Sequence, residues 1–307
     1  MANCESPSRF VIVSPVKDEG RYIRDTITSL IRQTVKPICW VIVDDDSQDN
    51  TSEIVSSFSR EFTWIELITT RRGSGRKLGS AEALAFYIGY NLVRNLDFDF
   101  LIKLDGDLIL EDEYFEKMLT KFNEDPQLGI ASGIYLEDHG KGWQPVNLPY
   151  YHAAGAARMV RRRCFEDIGG FLTTPGWDTV DEIRAQHRGW KTCHFKDVRF
   201  LHLKNEGSGM GYCQTNIMHG EIFYLTGGSR LFFCLKAAHR LVFGKPILIG
   251  GLMMIFGFLK AAAGGKALLV TPPEAEFYRW LQKRRILNTV RNLLLLSSHR
   301  SDTAESA

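Results

Sequence analysis

The sequence predicts an α/β protein: a mostly parallel, Rossmann-like sheet with helices on both faces, followed by a basic and apolar helical region. Three observations carry this. Short apolar, β-branched runs recur at FVIVSPV (10–16), CWVIVDDD (39–46), WIELITT (64–70) and FLIKLD (100–105), the pattern of strands buried on both faces. Segments with helical spacing alternate with them, which is the order of a parallel sheet with crossover helices. After residue 230 the character changes, with twelve Lys/Arg against four Asp/Glu and long apolar runs.

Taken in order, the strand at 10–16 stops after a proline, and Ile23, Ile27, Leu30 and Ile31 mark the first helix. Capping residues open the next at DNTSEIVSSFSREF (49–62). A glycine-rich loop and the helix SAEALAFYIGYNLVRNL (80–96) precede the strand at 100–105. Beyond it, a helix around 112–124 and the strand GIASGIYL (129–136) are expected, then a long loop over 137–155 rich in glycine, histidine and aromatics. RRRCFEDIGGF (161–171) and WDTVDEIRAQHRGW (177–190) read as short helices, and RFLHLK (199–204) as a final strand.

The 307 residues carry a net charge of only +2, but its distribution is uneven: +8 over residues 230–307 and −6 over the rest. A basic end suits an anionic surface, and nothing in the pattern suggests a nucleic-acid partner. Pro246–Leu259 is the longest uncharged apolar piece. Its fourteen residues fall short of the ~20 a spanning helix needs, so it is expected to lie in an interface. FYRWLQKRRILNTVRNLLLL (277–296), where basic and apolar residues interleave, reads as a surface-lying helix. The expected division is 1–229 and 230–307. Six scattered cysteines without metal spacing, and an N-terminus without an apolar signal core, point to a cytosolic protein on the inner face of a membrane.

In an open α/β sheet, ligands bind beyond the carboxyl ends of the strands. Those ends carry Pro15, Asp18 and Glu19, then Asp44, Asp45 and Asp46, then RRGSGRKLGS (71–80), then Asp105 and Asp107. Like charges ~4 Å apart at an effective dielectric of ~20 repel by roughly 4 kcal/mol, so Asp105-Gly106-Asp107 calls for a cation. Two carboxylates at this spacing suit Mg²⁺ or Mn²⁺, whose other ligands arrive with phosphate. The glycine loop is neither a dinucleotide fingerprint, since Leu78 stands where glycine is needed, nor a Walker loop, since Gly79 precedes Ser80. Arg76 and Lys77 are better read as neutralising a diphosphate.

VSPVKDEG…SLIRQT, VIVDDDSQDNT, LDGD and GGF…WDTVDEIRAQHRGWKT, in this order, resemble the inverting family-2 glycosyltransferases of the GT-A fold over roughly residues 9–204. The resemblance implies transfer of a sugar from a nucleotide-diphosphate sugar to a hydroxyl, with divalent metal on the diphosphate. Carried over by position, Pro15 and Glu19 line the nucleoside pocket and Asp45 binds the base, commonly uracil, which favours a UDP-sugar. Arg76, Lys77 and Gly79 belong to the donor loop. Asp107 is the direct metal ligand, Asp105 contacts ribose or reaches metal through water, and His202 is a second ligand candidate. Arg184 and Gly189-Trp190 put Asp178 on the catalytic base, with Trp177 where the family has glutamate. Asp181 and Glu182, at i+3 and i+4 on the same helix, are the alternatives.

Trp143, Tyr150, Tyr151 and His152 could stack on acceptor sugars, and the membrane-seeking C-terminus suggests a lipid-linked acceptor, as in surface polysaccharide or glycolipid assembly. EFYRW (276–280) departs from the processive Gln-x-x-Arg-Trp at Glu276, so a single transfer is expected. Two other readings remain open: a polyprenyl-phosphate glycosyl synthase, and an idle nucleotide-binding scaffold at a membrane complex, which Trp177 would favour.

Overall fold

The computed structural model describes residues 8–71, 80–204, 211–243 and 247–304. The chain divides into two compact units, Met1–Glu206 and Gly207–Ala307. The division falls before the helix Tyr212–Leu225, whereas the sequence reading drew it at 229/230.

In the first unit the elements run β1 (Phe10–Val16), α1 (Ile23–Ile31), β2 (Cys39–Asp45), α2 (Thr51–Glu61), β3 (Ile65–Thr70), α3 (Ser80–Val93), β4 (Phe100–Leu104) and β5 (Leu108–Leu110). They continue with α4 (Tyr114–Glu124), β6 (Leu128–Asp138), β7 (Trp143–Pro145), β8 (Ala157–Arg161), α5 (Arg162–Asp167), α6 (Trp177–His187) and β9 (Lys191–His202). The sheet order is β3-β2-β1-β4-β8-β6-β9-β5, with β7 added beside β6. Successive residues of each central strand feed opposite faces. Phe10, Ile12, Trp40, Ile42, Phe100 and Ile102 pack on the side of α1 and α4; Val11, Val13, Val41, Val43 and Leu101 pack with Ala85 and Phe86 of α3. Both faces are thereby covered, and the central strands are largely apolar on both, with Ser14 and Lys103 as buried polar exceptions.

The mostly parallel sheet is corrected to a mixed one. β3, β2, β1 and β4 are parallel, but β8 runs antiparallel to both β4 and β6, and β5 antiparallel to β9. The reason lies in β8. Its sequence ARMVR places Arg158 in the core at 0% exposure, so it shows no apolar alternation and does not read as a strand. Likewise, the expected 137–155 loop contains β7, which folds back as a hairpin on β6 with Asp138 opposite Trp143.

The second unit is helical: α7 (Tyr212–Leu225), α8 (Arg230–Phe243), α9 (Ile249–Ala263) and α10 (Pro272–Ala304). A capping box opens α10, where Thr271 N–H donates to Glu274 Oε2 at 2.9 Å. Phe223, Phe233, Ala237 and Met254 form its core. α7 and α9 approach until backbones touch: a Cβ on Gly220 would lie 1.9 Å from the Met254 carbonyl oxygen, and one on Gly257 2.0 Å from that of Ile217. No described helix is long and apolar enough to cross a membrane. The expected interfacial segment becomes α9, with Pro246 outside the described residues.

Because backbone, not a flexible side chain, opposes a methyl at Gly257, Gly257→Ala must separate α7 from α9. The expected cost is about 3 kcal/mol, read as a lower urea midpoint by far-UV circular dichroism; an unchanged midpoint would contradict the close crossing.

Candidate active site

The parallel strands β1, β2 and β4 bring their carboxyl ends to one edge. Two turns there clasp each other. Lys17 Nζ donates to the carbonyls of Asp45 (2.8 Å) and Asp46 (3.2 Å). Gln48 N–H donates to Asp18 Oδ1 at 2.8 Å, and Glu19 N–H to Thr51 Oγ1 at 2.9 Å. Asp18 and Asp46 hold left-handed backbone, at φ 54° and 63°, as aspartate tolerates in turns. Asp44 is consumed by this framework, accepting from Ser47 N–H and the Ser52 hydroxyl. Asp45 is buried and accepts the Thr70 hydroxyl at 2.8 Å. Pro15 sits beside Val43 in the sheet register.

Asp105-Gly106-Asp107 is stapled to α1. Thr26 Oγ1 donates to the Gly106 carbonyl and accepts Leu108 N–H, both at 2.9 Å. Glycine is required in this turn: a Cβ would stand 2.8 Å from Val16 Cγ1. The two carboxylates have different fates. Asp105 is ion-paired with Lys103, which also meets Glu82 at 2.5 Å. Asp107 is 5% exposed and has His202 Nε2 at 3.6 Å. The other nitrogen, His202 Nδ1, lies 3.1 Å from the buried Glu137 carboxylate, so an Nδ1–H donating there leaves the Nε2 lone pair toward Asp107. Lys204 pairs with Glu19 at 3.0 Å on the same edge.

Among the described residues no three His, Cys, Asp or Glu side chains converge to cage a cation. Asp107 and His202 could offer two donors, compatible with a divalent cation that takes its other ligands from phosphate oxygens and water. Arg76, Lys77 and Gly79 lie outside the described residues.

The three acids of α6 separate by environment. Asp178, in the first turn, is half-buried, and its Oδ1 accepts Thr179 N–H at 2.8 Å. Asp181 is fully buried, and neither oxygen reaches hydrogen-bond geometry, although the Leu172 N–H faces it. Burial raises its pKa well above the carboxylate range, against the pull of Arg158. Glu182 is occupied: it accepts Ala153 N–H at 2.8 Å, meets Arg158 at 3.1 Å and holds His152 at 3.1 Å. That contact keeps His152 largely buried, so it is a structural partner rather than a stacking surface; Tyr150 is 75% exposed. Trp177 lies 5.4 Å from the Lys103 ammonium and 5.1 Å from the Arg158 guanidinium. Arg158 also donates to the Asp178 carbonyl at 3.0 Å.

Sequence reasoning missed Lys103, Arg158, Glu137 and Lys204. A lysine inside the otherwise apolar FLIKL was a usable signal, as was Lys204 two residues after His202. Glu137 gave none.

A mixed sheet with this edge defines the chain as a glycosyltransferase of the GT-A type. The family model described as Glycosyl transferase family 2 matches residues 11–174, just over half of the chain, and the protein belongs to that family. Poly-beta-1,6-N-acetyl-D-glucosamine synthases of Staphylococcus epidermidis and Staphylococcus aureus are 25% identical over 118 residues, 38% of this chain and 26% of theirs. The matched stretch thus spans about a quarter of the length of these curated relatives. In fold, the chain resembles the mannosyltransferase PcManGT of Pyrobaculum calidifontis, solved with GDP-Man and Mn²⁺ (TM-score 0.51, 17% identity, 95% of this chain and 82% of that one). It also resembles S. aureus TarS 1–349, solved with UDP-GlcNAc (TM-score 0.53, 15% identity, 83% and 73%).

Burial and the neighbouring Asp105 push Asp107 up to about 7, against the opposing pull of His202. An acid whose folded pKa exceeds its ordinary ~3.9 costs stability as pH climbs between the two values, because the folded state holds the extra proton. In EDTA, Asp107→Asn is therefore expected to be more stable than the parent at pH 8, on the order of 2 kcal/mol, and little different near pH 4. Urea midpoints at both pH values measure this, and no gain at pH 8 would refute the crowding of Asp107.

Proposed function

We propose that this glycosyltransferase moves a single sugar, with inversion, from a nucleotide-diphosphate sugar to a hydroxyl of a lipid-linked glycan at the cytosolic face of a membrane. The observation that carries the reading is the gathering of Glu19, Asp45, Asp105, Asp107 and His202 at one sheet edge, to which Trp177 and Arg158 tie the first turn of α6. The stretch shared with polysaccharide synthases supports a glycan product. UDP is the favoured nucleotide: Asp45 and the turn at Pro15–Glu19 would take the nucleoside, with Asp45 accepting from the base and Asp105 facing the ribose.

Asp107 and His202 Nε2 would hold Mg²⁺ or Mn²⁺, which when bound neutralises charge on the leaving diphosphate. Arg76 and Lys77 would share that task from the donor loop. Asp178 is the base. Its Oδ1 is fixed by Thr179 N–H, and Oδ2 would take the acceptor hydroxyl's proton as that oxygen attacks the anomeric carbon. Asp181 faces the core and Glu182 is held by Arg158, His152 and Ala153, which leaves Asp178 as the acid of this helix with solvent access. One displacement inverts the anomeric centre. Trp177 replaces the family's glutamate as a packing residue, its ring tilted against Phe171 at 5.2 Å. The idle-scaffold alternative is therefore not needed to explain it.

The test is thermal unfolding with UDP, GDP or dTDP, each with Mn²⁺ and with EDTA. A nucleotide at a hundred times its dissociation constant stabilises by about 2.7 kcal/mol, a rise of roughly 2 °C or more at this size. The expected result is a rise with UDP that EDTA abolishes; no rise with any nucleotide would overturn the donor site.

Asp178→Asn should leave that shift intact and lower turnover by about 10²–10⁴-fold. Retained turnover would favour a polyprenyl-phosphate acceptor, whose phosphate needs no base.

A further inference from the structure

In water, a helix pair buries its large apolar side chains and exposes its small ones. α9 departs from this: apart from Met254 and the Phe258 ring on Phe233, small residues are buried and large ones exposed. Gly250, Gly251, Met254, Gly257 and Ala261 form the buried side of α9. Its outward side carries Ile249, Leu252, Phe256 and Leu259, all 47–57% exposed. Their 3-4-3 spacing puts them in one stripe. α9 cannot relieve this exposure by rotating, because a Cβ on Gly251 would already lie 2.5 Å from Leu241 Cγ, and one on Gly257 2.0 Å from a backbone oxygen. At the hairpin end the exposure increases: Val242 59%, Phe243 72%, Ile247 66% and Leu248 61%. Leu248 caps α9 in left-handed backbone, φ 64°, and its N–H donates to the Leu241 carbonyl at 3.0 Å. The fold thus holds a non-glycine residue in a conformation that side chains rarely adopt, at the place where its apolar surface is most open.

The charge around this surface is mostly basic, and Glu221, just before it in the sequence, pairs Lys260 at 3.1 Å and Lys266 at 3.2 Å. From Ile222 to Pro273 the sequence contains no aspartate or glutamate, yet it contains Arg230, Lys236, Arg240, Lys245, Lys260 and Lys266. A second copy docking on this face would bring two net-basic surfaces together, with Glu221 already shared by two of the lysines. Anionic headgroups supply the missing charge, and acyl chains the apolar contact. With fifteen residues, α9 is about 22 Å long, short of the ~30 Å hydrocarbon core.

We infer that the α8–α9 hairpin inserts Val242, Phe243, Ile247 and Leu248, with the outward stripe of α9, into one leaflet of a membrane rich in anionic lipid. This rests on the membrane-face part of the proposed function, and it names the inserting element and the lipid charge that part left open. The hairpin docks the enzyme without crossing the bilayer, with Arg230, Lys236, Lys260 and Lys266 at headgroup level.

The experiment is flotation of the full chain with phosphatidylcholine vesicles, with and without phosphatidylglycerol, at low and high salt. The expected result is co-flotation with the mixed vesicles, weakened by salt. The double variant Phe243→Glu/Ile247→Glu, whose side chains lie outside the helix core, should keep the parental melting temperature and lose about 100-fold in partitioning, equivalent to ~2.8 kcal/mol. Three outcomes overturn the inference: no flotation of the parent with either vesicle, flotation of the variant equal to the parent, or a parental dimer that the variant dissociates. UDP–Mn²⁺ thermal shifts on the same samples keep the two readings apart. A shift without flotation rejects the insertion alone, and flotation without a shift rejects the donor site alone.

Discussion

Two buried cations lie side by side at the centre of the catalytic unit, and much of the rest follows from neutralising them. Lys103 of β4 and Arg158 of β8 are direct partners in the antiparallel register, at 3% and 0% exposure. Directly opposed like charges destabilise a sheet, and a buried charge without a partner costs several kcal/mol. Each therefore has its own carboxylate: Asp105 and Glu82 for Lys103, Glu182 for Arg158. Trp177 lends its ring to both, which adds cation–π attraction where two ammonium-type groups would otherwise repel. The acids and the indole come from the turn after β4, from α3 and from α6, so satisfying the pair fixes where the first turn of α6 sits, and Asp178 with it.

The same constraint makes the Asp-Gly-Asp turn asymmetric. Asp105 is neutralised from within the protein by Lys103, so it is not available as an unencumbered metal ligand. Asp107 receives no comparable cation. His202 stands at 3.6 Å, with Lys204 shared with Glu19, and burial and the neighbouring Asp105 raise the pKa of Asp107 to about 7. An acid held in that state gains when positive charge arrives. The repulsion between adjacent carboxylates, roughly 4 kcal/mol at a dielectric of ~20, is thus half resolved by the fold, and the proposed cation would resolve the rest. Glu137, behind His202, orients the imidazole in the way that second carboxylates do around metal-binding histidines.

How far the sequence could be read follows from these features. The parallel half of the sheet was legible because its strands are apolar on both faces and end in acids. β8 was not, since its central arginine is stabilised only by partners up to 24 residues away, at Glu182. Asp45, Asp105 and Asp107 were legible as a set at the strand ends, whereas Lys103, Glu137 and Lys204 become meaningful only once the strands are paired. The base stayed open among Asp178, Asp181 and Glu182 because helical spacing puts all three within one turn. Burial distinguishes them, and burial depends on α6 packing against Arg158, Phe171 and Tyr87. Trp177 looked like a loss of function at a carboxylate position; in the fold it is the indole that two buried cations require.

The helical unit illustrates a different limit of sequence reading. α9 is apolar nearly all round, a composition that suits a core helix as well as an interfacial one. Glycine placement decides between them. At Gly220 and Gly257 the α7 and α9 backbones meet within the space a methyl would need, the small-residue packing that lets helices associate without burying large side chains between them. Once the glycine face is committed to α7, Phe258 still reaches Phe233 and Phe223, but Ile249, Leu252, Phe256 and Leu259 are left outward. The exposed stripe is a geometric consequence of that crossing rather than a separate property of the sequence.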